Sequence, residues 1–238
     1  MQATSTTPDL WQQIFGDNWQ PPATMVLITA GVALLVVLLR PVWRPARNVI
    51  TIVHEAGHGL VAVLVGRRLS GIRLHSDTSG VTVSRGKPEG PGMVLTSFAG
   101  YVAPSLLGLG FAALLAAERT NAVIVICAIL LFGVLVMVRN LYGVLSVVVT
   151  GLLLFAVSWF APDGVQAAFA YLIAWFLLFG GVRPVFELQR KRRRGRAGDS
   201  DADQLARLTG APGFFWVASF LIIDLGSLLV AAAWLLLP

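Results

Sequence analysis

Residues 48–65 read NVITIVHEAGHGLVAVLV, an apolar run interrupted by His54, Glu55 and His58. The length of the run predicts a helix, and residues three or four apart share one face of a helix. His54 and His58 can therefore hold one metal ion from one side, with Glu55 next to the first ligand. This is the H-E-x-x-H pattern, whose chemistry is zinc plus a general base. Its flanks are apolar nearly all round, which indicates a buried or membrane helix.

The composition indicates a membrane protein. Of the 238 residues, 56% are hydrophobic and 13% are charged, and the mean hydropathy is +0.77. Several apolar runs approach the length that crosses a bilayer. We expect an all-α integral membrane protein embedded in the lipid bilayer, without a nucleic-acid partner, because the net charge of +6 is concentrated in loops. The single cysteine, Cys127, excludes an internal disulfide. The oligomeric state stays open.

Hydropathy predicts about seven transmembrane helices in a single domain of residues 23–238, after a polar, interfacial segment of residues 1–22. Two short alternating runs surround a Gly-containing turn and predict a β-hairpin at about 71–85, after the motif helix. A basic cytoplasmic loop is expected at about 186–210. The predicted spans are 24–39, 48–65, 93–117, 122–138, 141–160, 165–182 and 214–237.

The distribution of Lys and Arg predicts the orientation in the cell membrane. If all seven spans cross, the N-terminus, the hairpin and residues 183–212 share one side, which holds most of the basic residues. Cytoplasmic loops carry the excess of Lys and Arg. We therefore expect a cytoplasmic N-terminus and an external C-terminus.

A catalytic zinc usually takes three protein ligands, so one is missing from the motif. Asp224 lies in the middle of the last span and is the best candidate on depth alone. Asp201 lies in the loop before that span and would need a re-entrant path. Its neighbours Asp199 and Asp203 also fit a solvated acidic patch beside the basic loop. His75, in the hairpin, fits a surface or substrate-facing residue.

The motif in an apolar helix, followed by a hairpin, resembles the site-2 protease superfamily of intramembrane zinc metalloproteases. More closely it resembles the branch called peptidase family fifty, subfamily B-like, over roughly residues 45–235. Supporting segments include Ala99-Gly100-Tyr101, Arg139-Asn140 and Ser200-Asp201-Ala202.

The resemblance implies that His54 and His58 bind zinc and that Glu55 is the catalytic base. The superfamily's third ligand lies in a Leu-Asp-Gly motif, which this chain lacks; Asp224-Leu225-Gly226 is an imperfect match. The Ser200-Asp201-Ala202 segment favours Asp201, with Asp224 as the alternative. Asn140 is a candidate for a polar, substrate-binding role.

These observations predict an intramembrane zinc protease that cuts a membrane-anchored protein substrate. Either strand of the hairpin offers an edge that could hold an unwound substrate segment. One alternative is a catalytically inactive relative that acts as a membrane scaffold. Another is a small transporter that uses the His, Glu and Asp residues. Glu55 favours the protease over the scaffold, because a structural zinc site needs no base, and the lack of paired broken helices argues against a transporter.

Overall fold

The computed structural model describes residues 21–195 and 198–237, so the predicted segment 1–22 lies almost entirely outside the described residues. The described chain is helical except for one hairpin. Its elements are α1 (Ala23–Leu38), α2 (Arg40–Leu64), β1 (Arg68–Leu74), β2 (Gly80–Arg85), α3 (Pro91–Ala116), α4 (Thr120–Met137), α5 (Leu141–Phe160), α6 (Asp163–Arg193), α7 (Asp201–Thr209) and α8 (Gly213–Leu236).

Five of the described helices are long and apolar enough to cross a membrane: α3, α4, α5, α6 and α8. Helices α1 and α2 meet this criterion only as a pair, which is bent by 100° at the break between them. Seven separate crossings are therefore not confirmed, and the described chain has five, or six if the bent pair counts as one. The prediction of a mostly helical, multi-pass membrane protein is confirmed.

Helix α2 differs from the predicted span 48–65. It begins at Arg40, so the expected proline-containing loop 40–47 is helical. Pro41 occupies the first turn, where a missing N–H is tolerated, and Pro45 lies inside the helix. The complete helix is amphipathic rather than apolar nearly all round. Its polar side chains recur three or four residues apart and form a stripe along one face: Arg40, Arg44, Arg47, Thr51, Glu55 and His58.

The predicted hairpin is confirmed, although it starts earlier, at Arg68. Strand β1 pairs with β2 in antiparallel register, with an irregularity between Leu69 and Gly71. The outer edge of β1 is covered by the link between α4 and α5, since Ile72 bridges to Val138. Asn140 continues this cover beyond Ile72 through two hydrogen bonds to the backbone of β1. The outer edge of β2 has no strand partner among the described residues.

Both ends of α2 lie on the same side of the bundle. At its start, Arg47 pairs with Glu187 near the end of α6, at 3.4 Å, and Asn48 bonds to Tyr142 at the start of α5, at 2.7 Å. At its other end, Val65 packs against Gly92 at the start of α3. Successive spanning helices alternate in direction, so the starts of α3 and α5 and the end of α6 share one side. Helix α2 therefore joins two points on that side instead of crossing to the other.

This arrangement changes the count of basic residues on each side. Residues 40–47 do not form an opposite loop but lie beside the end of α6, on the side of the hairpin. Among the described Lys and Arg residues, Arg119 alone lies in a connection on the other side, between α3 and α4. We call the side that holds the others the basic side. Helix α1 packs against α6, and Val37 near its end accepts a hydrogen bond from Arg183.

The expected loop at 186–210 is mostly helical, which is a further correction. Helix α6 continues through the basic run to Arg193, and α7 follows from Asp201. Ser200 caps α7, since its hydroxyl accepts a hydrogen bond from the backbone N–H of Asp203. Gly210 ends the helix with a φ of 76°, a left-handed conformation that favours glycine.

Helices α3 and α6 form the centre of the bundle, and each is half buried. A main core joins them to α1 through residues such as Phe111, Ala174 and Trp175. Helices α4 and α5 lie at the periphery and expose large apolar side chains, for example Phe132 and Phe155. Such faces suit contact with lipid rather than water.

Candidate metal centre

Three side chains converge beside α2. The Nε2 atoms of His54 and His58 are 3.1 Å apart, and the Oδ2 atom of Asp201 lies 3.3 Å from each. The residues come from the middle of α2 and the first position of α7. A metal ion could be held where at least three His, Cys, Asp or Glu side chains bring their ligand atoms together. Among the described residues, these three meet that condition, with all their ligand atoms within 4.8 Å of one another.

The backbone of α3 fixes the orientation of His58. Its Nδ1 atom lies 2.7 Å from the carbonyl oxygen of Thr96, so this nitrogen carries the proton and donates it. The other ring nitrogen, Nε2, faces His54 and Asp201. Such an outer hydrogen bond is typical of metal-ligating histidines. His54 packs edge-on against the ring of Tyr101, with ring centroids 4.8 Å apart.

Gly100 lets α3 approach the two histidines. A Cβ atom at this position would lie against His58 Nε2 and 2.8 Å from Cε1 of His54. Residues with a side chain would therefore displace one or both imidazoles. Glycine here serves close packing of the backbone against the ligands.

Asp201 is held in place by the structure of α7. The Ser200 cap starts the helix at Asp201, and Asp203 in the same turn forms an ion pair with Arg192 at the end of α6. Leu205 is fully buried against the core of α6 and α8. Burial opposes the charge of the Asp201 carboxylate, but the attraction and hydrogen bonds of the two imidazoles outweigh it and lower the pKa of Asp201. Asp201 is thus a carboxylate at neutral pH.

Glu55 faces the hairpin and lines the same cavity as the three clustered residues. Thr82 on β2 donates a hydrogen bond to its Oε2 atom at 2.6 Å. Gly80 allows this contact, since a Cβ there would lie 2.6 Å from Oε1 of Glu55. The Glu55 side chain is only 4% exposed and is therefore held in one orientation by the strand.

The donor set fits zinc. Two imidazole nitrogens and one carboxylate oxygen are ligands that zinc commonly takes, and a catalytic site leaves a fourth position open. Ligand atoms at the corners of a tetrahedron with bonds of about 2.0 Å are about 3.3 Å apart. The observed separations of 3.1 and 3.3 Å match this spacing. The cluster opens into a cavity of about 330 Å³, which leaves room for water and a substrate.

Three of the candidate residues lie elsewhere. The alternative ligand Asp224 is fully buried on α8, outside the cluster. Asn140 holds the backbone of β1 at Leu74 and does not line the cavity. His75 is exposed and lies 3.3 Å from the Ser79 hydroxyl.

Sequence reasoning missed the residues that orient the site: Thr82, Thr96 and Gly80. The Thr96 contact uses a backbone carbonyl, which any residue would supply, so no pattern could reveal it. Thr82 belongs to an alternating strand and looks like an ordinary strand residue. Gly100 lies in a segment that carried the family resemblance, but its contact with the histidines was not predicted.

Comparison with known proteins identifies a family that covers most of the chain. The family model described as Peptidase M50B-like matches residues 27–231, which include both histidines, Glu55 and Asp201. Neither a curated protein nor a solved structure matches the chain.

Proposed function

Because the chain belongs to the Peptidase M50B-like family, we propose that it is an intramembrane zinc metalloprotease that hydrolyses a peptide bond of a membrane-anchored protein. One observation carries the proposal. A triangle of three zinc-type ligand atoms and the carboxylate of Glu55 line one cavity, at the edge of an apolar helical bundle. The family supports a protease-related function in general, and this geometry supports the metal-dependent form.

In this proposal His54, His58 and Asp201 would hold the zinc. When bound, zinc would activate a water molecule and polarise the carbonyl of the scissile bond. Glu55 takes a proton from the attacking water and delivers it to the amine of the leaving segment. The Thr82 hydroxyl keeps the Glu55 carboxylate turned toward the cavity during both transfers.

The substrate would be held by the hairpin. A helical substrate hides its peptide bonds in its own hydrogen bonds, so the segment to be cut must be extended. Of the two strands, β2 fits this role, because the outer edge of β1 is covered by Val138 and Asn140. Gly80, Val81 and Thr82 of β2 also line the metal cavity. A substrate strand added to β2 would therefore pass directly beside Glu55.

We further propose that the basic side faces the cytoplasm of a cell whose plasma membrane holds the protein. Lys and Arg residues are retained on the cytoplasmic side of membrane proteins. In this proposal α1 crosses the membrane once and ends on the basic side, and α2 starts and ends on that side. The N-terminus would then be external, as would the C-terminus. This reverses the N-terminal orientation expected from seven crossings. Reporters fused to each terminus would test it: external signals at both ends are expected, and a cytoplasmic signal at the N-terminus would contradict it.

Replacement of Glu55 tests the proteolytic function. Glu55→Gln keeps the shape of the side chain and the three metal ligands but removes the base, so zinc content stays at the wild-type level. Loss of a general base lowers the rate by about a hundredfold or more. The control is Glu89→Gln, an exposed residue in the loop before α3.

The measurement compares membrane proteins and their fragments in cells that produce each variant. Fragments that the wild-type protein generates should be absent from cells that produce Glu55→Gln and present in cells that produce Glu89→Gln. Identical fragments in all three strains would favour the scaffold alternative, in which the family fold is kept without catalysis.

A further inference from the structure

A second, larger cavity lies on the basic side, apart from the metal centre. Its volume is about 1140 Å³, and it lies between the bend that joins α1 to α2, the hairpin turn, the start of α5 and the end of α6. Seven cationic residues from two regions line it: Arg40, Arg44 and Arg47 on α2, and Arg183, Arg190, Lys191 and Arg194 towards the end of α6.

The acidic groups of the cavity are already engaged. Glu187 accepts hydrogen bonds from Arg183 at 2.9 Å and from Trp43 at 3.2 Å, and it pairs with Arg47 at 3.4 Å. Asp77 accepts hydrogen bonds from the hydroxyl and from the backbone N–H of Ser79, which lower the pKa of the Asp77 carboxyl.

The remaining cations have no counter-charge of their own. Within residues 21–195 and 198–237, no ion pair forms at Arg40, Arg44, Arg190, Lys191 or Arg194, although all five line the same cavity. Like charges that share a cavity raise its positive potential and attract an anion. Arginine in particular forms paired hydrogen bonds with phosphate oxygens.

Apolar surface borders this cavity on the side of α1. Leu38 is 61% exposed and Leu39 is 49% exposed, directly before Arg40 in sequence. The bend therefore offers cations for a headgroup and, beside them, a surface for hydrocarbon. A soluble phosphate ester or an acidic peptide would use only the cations.

From this juxtaposition we propose that the cavity binds an anionic phospholipid, with its phosphate among the arginines of α2 and α6 and its acyl chains along Leu38 and Leu39. The site ties the bend of α1 and α2 to the end of α6. It is independent of the protease proposal, because none of the metal-centre residues takes part.

The test uses the full-length protein in detergent and measures lipid binding by native mass spectrometry. The probes are phosphatidylglycerol and phosphatidylcholine with identical chains. The cavity variant combines Arg40→Gln, Arg44→Gln and Arg190→Gln. A matched control removes the same charge from the hairpin, on the same side of the membrane: Arg68→Gln, Arg73→Gln and Arg85→Gln. These three residues are exposed and line neither cavity.

We expect the wild-type protein and the hairpin variant to prefer phosphatidylglycerol by at least about tenfold, and the cavity variant to lose that preference. The proposal is overturned if the wild type shows no preference, or if both variants lose it equally, since bulk charge would then explain binding. Thermal unfolding of the two variants checks that both are folded. If the triple cavity variant fails to fold, the single change Arg44→Gln must still reduce the preference, and an unchanged preference overturns the proposal.

Two competitors separate the other sources of negative charge. Inorganic phosphate and a polyglutamate peptide are added to the lipid-bound protein, and neither should displace phosphatidylglycerol. Displacement by phosphate would assign the cavity to a soluble phosphorylated ligand. Displacement by the peptide would assign it to an acidic segment of a partner protein, and either result overturns the lipid proposal.

Discussion

A single methyl group at Gly100 should remove zinc from the protein. In Gly100→Ala the new carbon would lie against His58 Nε2 and 2.8 Å from Cε1 of His54. Comfortable contacts between such atoms are about 3.5–4.0 Å, so α3 must retreat by about 1 Å or the imidazoles must turn away. A retreat of α3 would also stretch the bond of 2.7 Å between His58 and Thr96.

The expected loss of affinity is large. Metal ligands need to stay within about 0.5 Å of their productive positions. Loss of one outer hydrogen bond of a ligand costs about 10–100-fold in metal affinity. Because the methyl group displaces both histidines as well as that hydrogen bond, we expect a decrease of about 100-fold or more.

The same helix offers a matched control. Gly110 also lies on α3, and a Cβ atom there would have no heavy atom within 4 Å. Alanine favours the helix over glycine by about 1 kcal/mol, so neither substitution should weaken α3 itself. Gly110→Ala should therefore keep wild-type zinc affinity.

The assay is a zinc titration in competition with a chromophoric chelator, on detergent-purified protein. Thermal unfolding of the zinc-free variants shows whether both are folded, since empty imidazoles can turn aside for the methyl group. Wild-type zinc affinity in Gly100→Ala would refute the close approach of α3 to the ligands. So would an equal loss in Gly110→Ala, because the effect would then not depend on the metal centre.

Three further substitutions separate the roles of neighbouring residues. Asp201→Ala should abolish stoichiometric zinc binding while Asp224→Asn leaves it intact, as measured by metal analysis; the opposite result would move the third ligand to α8. Thr82→Val should lower the cleavage rate by about tenfold to a hundredfold, with zinc content unchanged, because Glu55 loses a hydrogen bond worth about 1.5–3 kcal/mol; an unaltered rate would show that the strand does not position the base. Asn140→Ala should lower the free energy of unfolding by about 1–3 kcal/mol without loss of zinc, since two hydrogen bonds to β1 disappear; unchanged stability would contradict its role as an anchor of the hairpin.

Local patterns were enough to predict the parts of the site that lie within one element. The spacing of His54 and His58 depends only on helical geometry, and both point at one position in the structure. The hairpin followed from alternation and a Gly-containing turn. Asp201 could not be chosen by depth or spacing, because its position depends on the Ser200 cap and the packing of α7. The family-like segment around it, rather than physical reasoning, favoured it over Asp224.

The path of α2 was mispredicted for a physical reason. Hydropathy counts apolar residues without regard to direction, so residues 48–65 qualified as a crossing. The arginines that complete the polar stripe lie before them, in a segment where two prolines suggested a loop. Pro41 is harmless in the first turn of a helix, and the sharp bend at Leu39 is flanked by contacts with α6, at Val37 and at Trp43.

The wide separation of the metal-ligand residues along the chain has a consequence for synthesis. The two histidines lie in the first quarter of the sequence, and Asp201 lies in the last fifth. A growing chain has made the H-E-x-x-H helix and four of the five apolar spans before it contains the third ligand. The complete set of ligand residues therefore exists only after these helices have been made. A chain that stops before Asp201 lacks that set, so the proposed cleavage depends on synthesis through α7.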